Sequence, residues 1–133
     1  MKYIKKFETM SQNIFFNRLH DFLELMKKDG DYINIQSLPY NDINMCNDRN
    51  QTIFKINQVD KDGRIFATPE FIYRYPGLFD YIESNIYHES KNLSSSLINN
   101  SILHIINLDN LPDDLSFDTK GYQMFIDVNK FNI

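Results

Sequence analysis

An α+β domain is what this chain predicts: one long N-terminal helix packed on a small, mainly antiparallel sheet, with a β-hairpin over residues 52–68 and short helices inserted after it. Three features predict it. Apolar side chains recur at helical spacing from Ile14 to Met26, residues 32–36 and 52–68 alternate with the period of strands, and Thr68-Pro69-Glu70 opens a helix directly after the hairpin. A mostly helical bundle is the alternative.

The first helix places Ile14, Phe15, Leu19, Phe22, Leu23 and Met26 on one face and Asn17, Asp21 and Lys28 outward. Ser11 is the expected N-cap, Lys27 and Lys28 sit at the negative end of the helix dipole, and Gly30 offers a left-handed stop, so the helix is expected from near Ser11 to near Asp29. Tyr32-Ile-Asn-Ile-Gln36 then alternates as a half-buried strand until Pro39, and Tyr40 to Asn50 reads as a long loop.

The hairpin is the strongest local signal. Thr52 to Val59 and Arg64 to Thr68 are strand-like runs around Asp60-Lys-Asp-Gly63, with Gly63 expected to supply the positive φ of a bulge. Thr68 then caps a short helix, Pro69–Arg74, in which the proline costs no hydrogen bond. Pro76 disfavours helical geometry at Tyr75, so a second helix is expected to start near Pro76 with Leu78, Phe79, Ile82 and Ile86 inward. Ser90 to Ser96 reads as a loop or hinge, Leu97 to Leu108 fits helix and strand equally, and Gly121 to Val128 alternates as a strand that joins the sheet.

Leu108-Asp-Asn-Leu-Pro-Asp-Asp-Leu115 resembles a fragment of a leucine-rich repeat. A solenoid needs at least about three stacked copies and the chain holds no second one, so the segment reads as a local turn preference.

Composition bounds the function. Sixteen asparagines and seventeen isoleucines beside a single alanine, Ala67, and no tryptophan reflect AT-rich coding, so the Asn-dense stretch from Asn41 to Asn57 is discounted as a binding device. With 133 residues the chain has the size of one domain, residues 1–133, and its lone Cys46 permits no internal disulfide. Glu8, Ser11, Gln12 and Asn13 interrupt any apolar signal-peptide core, and Ile102 to Leu108 is far short of the roughly 20 residues that cross a bilayer. A cytoplasmic location, in a bacterium or a virus-infected cell, is the resulting expectation.

The net charge is −4, and Asp109, Asp113, Asp114 and Asp118 form an acidic cluster without a basic stripe, which disfavours duplex nucleic acid as a partner. His20, His88 and His104 stand apart without metal-site spacing, and Gly30, Gly63, Gly77 and Gly121 are too isolated for a phosphate loop. No catalytic residue, metal ligand or cofactor is therefore assigned. What stands out is the aromatic segment Phe71 to Tyr87, whose Tyr73, Arg74, Tyr75, Tyr81 and Tyr87 are the candidate binding residues, because Tyr and Arg are enriched at interface hot spots. Arg74 is expected to expose its guanidinium, and, if the segment is an interface, Arg74 and Tyr75 are expected to tolerate replacement by Ala with the melting temperature nearly unchanged. These residues suggest a small non-enzymatic interaction module that binds a protein partner or itself, such as an accessory inhibitor or toxin-neutralising protein of a phage or bacterium. The alternative is a small divalent-metal hydrolase or nuclease using Asp80, Glu83 or Glu89.

Overall fold

The computed structural model describes residues 2–36, 41–86, 94–98 and 100–131, with side chains for 14–36, 41–86 and 100–130. Helix α1 (Lys2–Met26) leads into β1 (Tyr32–Gln36), β2 (Asp42–Cys46), β3 (Thr52–Val59) and β4 (Asp62–Ala67). Helices α2 (Pro69–Arg74) and α3 (Leu78–Asn85) follow, then β5 (Ser94–Ile98), β6 (Ser101–Asn107), a single 3₁₀ turn (Leu108–Asn110) and α4 (Thr119–Phe131). The α+β arrangement expected from the sequence is what forms, with a six-stranded antiparallel sheet in the order β1-β2-β3-β4-β6-β5.

Helix α1 starts at Lys2 instead of Ser11 and ends at Met26 instead of Asp29. Lys, Glu and Met before Ser11 and Gln12 after it favour helix, and their propensity carries the helix through a residue that would otherwise cap it. Gly30 does adopt positive φ (91°), but it turns the chain toward β1 after the helix has already ended.

The expected loop over residues 40–50 contains a strand, and residues 47–50 turn. Asp42-Ile-Asn-Met-Cys46 pairs with β1 and β3, placing Ile43 and Met45 in the core. The asparagines around it perform structural tasks: Asn47, 1% exposed, accepts from the Arg49 and Gln51 amides through Oδ1, and Asn41 donates to Gln58 Oε1 at 2.6 Å. The β3–β4 hairpin forms over a turn at Asp60 and Lys61, and the positive φ belongs to Asp60 (57°). Gly63 lies within β4 opposite Gln58, where a Cβ would stand 2.9 Å from Leu108 Cδ2, so glycine there serves a close approach by the 3₁₀ turn.

Within the ambiguous span, Leu97 and Ile98 end β5 and Ser101–Asn107 form β6, with Ile98 opposite Ser101 and Asn100 at φ 63°. Within the polar segment read as a loop or hinge, residues 94–96 are strand, and residues 90–93 lie outside the described residues. The expected strand at 121–128 is instead part of α4. Its alternation is accidental: Tyr122, Phe125 and Ile126 face inward at helical spacing, whereas Met124 and Val128 are exposed. Asp118 accepts from the Gly121 amide and so starts the helix.

The described side chains of the helices cover one face of the sheet. Ile33, Ile43, Met45, Phe54, Ile56, Ile65, Ala67 and Ile106 point into the layer that also holds Phe15, Phe16, Leu19, Phe22, Leu23, Phe71, Leu78 and Ile82. Phe71 of α2 stacks on Phe54 at 4.6 Å, and Phe79 of α3 meets His104 edge-on at 4.9 Å. On the opposite face, Asn34, Asn44, Lys55, Phe66 and Leu103 form one cross-strand row, beside Asp42, Asn57, Arg64 and Ile105.

Candidate binding surfaces

Thr68 caps α2 as its sequence suggests, accepting from the Phe71 amide, and α2 runs from Pro69 to Arg74. A six-residue helix with Phe71 inward presents Ile72 and Tyr73 to solvent; Tyr73 is 85% exposed. The next two residues turn back into the molecule. Arg74 Nη1 donates to Asp31 Oδ1 at 2.7 Å and lies 3.6 Å from Glu70, while the Tyr75 hydroxyl donates to Asp31 Oδ2 and accepts from the Lys28 amide at 2.8 Å.

Asp31 has no exposed side-chain surface, and Tyr75 is only 4% exposed. A buried carboxylate requires partners, and here a guanidinium and a phenol provide them. Burial, reinforced by the hydrogen bond to Asp31, pushes the Tyr75 phenol up to about 12. The network extends through Glu70, which accepts from Asn47 Nδ2 at 3.0 Å, and thereby ties α2 to the β2–β3 turn. The expected exposure of the Arg74 guanidinium is therefore not found, and Arg74 with Tyr75 stitches α1, β1 and α2 together. Replacing both by Ala would open this junction.

Tyr81, a candidate binding residue from the sequence, lies in the core, 5% exposed, against Phe22, Tyr122 and Phe125. Tyr87 lies outside the described residues. Of the five predicted binding residues, Tyr73 is thus the one that the described structure leaves fully outward.

The acids offered for metal-dependent hydrolysis do not converge among the described residues, where no group of three or more His, Cys, Asp and Glu forms. Glu83 Oε2 lies 2.6 Å from His104 Nδ1, Asp80 is exposed, and Glu89 lies outside the described residues. His104 is held between Glu83 and the edge-on ring of Phe79. His20 sits between Asp21 and Glu24 on α1.

A groove that the sequence did not single out lies between α1 and the segment 111–117. Its wider part, about 440 Å³, is lined by Arg18, Asp21, Leu25, Asp113, Asp114 and Phe117, with Phe22 and Leu115 also contributing. A narrower continuation of about 90 Å³ runs past Ile14, Leu111 and Pro112. From Ile14 to Leu25 the groove follows α1 for about 16 Å. The segment is fastened to α1 by a hydrogen bond from Arg18 Nη1 to the Leu115 carbonyl and by Phe117, which stacks on Phe22 at 5.9 Å.

No family model, curated protein or solved structure matches the chain. Its candidate surfaces rest on geometry alone.

Leu25 is 72% exposed and Ile14 is 44% exposed, so the groove has an uncovered apolar residue toward each end. Around the floor stand Asp21, Asp113 and Asp114; the latter two have no hydrogen bond or ion pair among the described residues. Sequence inspection did contain a sign of this. Leu25 falls off the inward stripe of α1, yet shares a helix edge with Arg18, Asp21 and Phe22, a position where an apolar residue gains nothing from the domain's own core.

Proposed function

We propose that this protein is a non-enzymatic interaction module whose docking surface is the groove between α1 and residues 111–117. The observation that carries this reading is Leu25, an exposed apolar side chain beside a floor made by Phe22, Leu115 and Phe117 and bordered by acids. An apolar centre with a polar rim is the anatomy of protein interfaces, where burial of a few anchors supplies most of the binding energy. Tyr73, on a different element, is a second outward anchor for a partner that reaches α2. Such a module suits an accessory inhibitor or a toxin-neutralising protein, which acts by occupying another protein's surface.

The test is Leu25→Glu. Because the side chain is largely in water, the melting temperature should stay within the change set by about 0.5 kcal/mol. Size-exclusion chromatography and tagged capture should show a stoichiometric protein partner, or self-association, with the original chain and lose it with the variant. Retention of the same complex by a folded Leu25→Glu protein would rule out the groove, and absence of any complex would rule out the interaction role.

A further inference from the structure

We infer that the groove is selective for a cationic amphipathic segment of a partner protein, one that sets apolar residues on the floor and Lys or Arg against the rim. This inference rests on the groove being a docking surface, and adds the chemistry of its occupant. Asp21, Asp113 and Asp114 line it, and the single cation among its walls, Arg18, is engaged by the Leu115 carbonyl. Just beyond the end of α1, Lys27 pairs with Glu24 at 3.2 Å, and Lys28 Nζ lies over the Tyr75 ring at 5.3 Å. Three carboxylates against one guanidinium leave the lining with an excess of negative charge, which attracts cations and repels nucleic acid and anionic lipid surfaces.

The floor defines the rest of the occupant. Ile14 at one end and Leu25 at the other provide apolar contacts along about three helical turns of α1. A free cation would leave those contacts unused, and an uncharged apolar segment would leave the rim carboxylates desolvated without partners. A segment with apolar residues on one side and ammonium or guanidinium groups on its flanks satisfies both.

The probe is a fluorescein-labelled amphipathic peptide of about 12 residues built from Leu and Lys, with a Leu and Glu peptide of the same pattern as its counterpart, followed by anisotropy. Binding of the Lys peptide should weaken at least tenfold in Asp113→Lys/Asp114→Lys and in Leu25→Glu, and should weaken with added salt. A second double variant, Asp48→Lys/Asp127→Lys, changes the net charge equally at exposed positions that do not line the groove, and should bind within twofold of the original. Reversal of the rim should also improve binding of the Glu peptide. Failure of the Lys peptide to bind, or equal weakening by both double variants, overturns the inference. Should Leu25→Glu abolish binding while Asp113→Lys/Asp114→Lys leaves it intact, cation selectivity fails and the groove remains an apolar docking surface.

Discussion

Asp31 joins two residues that the sequence placed at a surface. Tyr75 has its hydroxyl between that carboxylate and the Lys28 amide, so ionising the phenol would set two negative charges against each other in a site closed to water. The folded state holds this phenol at about 12, above the unfolded value near 10. Its contribution to stability is therefore fully present below about pH 10 and is lost as pH rises toward 12, at about 1.4 kcal/mol per pH unit. Tyr75→Phe should cost about 1–2 kcal/mol at neutral pH, because hydrogen bonds within a buried network are lost, and its deficit should shrink between pH 10 and 12. Urea unfolding of the two proteins at pH 8, 10 and 11.5 measures the gap; a constant gap would show that the phenol does not titrate with folding. No pattern around Arg74 and Tyr75 foretold this, because the partner, Asp31, is distant in the chain and resembled any polar residue of a turn.

At the scale of elements, legibility followed the strength of local chemistry. Thr68 and Pro69 specify the start of α2 through groups within one turn, and the β3–β4 hairpin has two alternating runs, so both were readable. Strand β2 was missed because its outward positions are Asp42 and Asn44, residues that favour loops, and its two core residues gain their meaning from pairing with Met45 opposite Phe54 and Ile43 opposite Ile56. The alternation over residues 121–128 predicts a strand where α4 forms, because eight residues cannot distinguish inward from outward positions until a surface exists to cover. That surface is the α2–α3 junction: Tyr122 donates to the Pro76 carbonyl at 2.6 Å, and Ile126 lies against Gly77. Gly77 has φ 76°, and an added Cβ would fall 2.2 Å from Ile126 Cδ1. Gly77→Ala should destabilise the protein by about 1–2 kcal/mol, mainly through the left-handed backbone, since the flexible end of Ile126 can yield. Thermal unfolding checks this, and an unchanged melting temperature would mean that the junction relaxes to negative φ.

For the whole molecule, the fold class is legible in the sequence while the proposed docking groove is not. Helical and strand periods report which residues leave water, and they do so within each element. The groove arises where α1 meets a segment from the far end of the chain, so Leu25 and Phe117 become neighbours of one surface only after folding. Part of the aromatic segment turns inward for a related reason, while Tyr73 stays outward. Phe71, Tyr75, Phe79 and Tyr81 join the core that holds α2, α3 and α4 together, with Phe71 on Phe54 and Tyr81 on Phe22 and Tyr122.

The sheet order has a kinetic consequence. Val59 meets Asp62 across a turn of two residues, but Ala67 meets Ile102 only after α2, α3 and β5 have intervened. Closing the longer loop costs more chain entropy before any contact offsets it, so β1 to β4 should assemble before the β5–β6 hairpin docks on β4. Stopped-flow chevrons of two conservative truncations separate these steps: Ile56→Val in β3 should slow folding, whereas Ile106→Val in β6 should mainly accelerate unfolding. Equal slowing of folding by both would place β6 in the nucleus. With late docking, the exposed edge of β4 persists in every partly folded chain, and the protein is most vulnerable to intermolecular strand pairing during that interval.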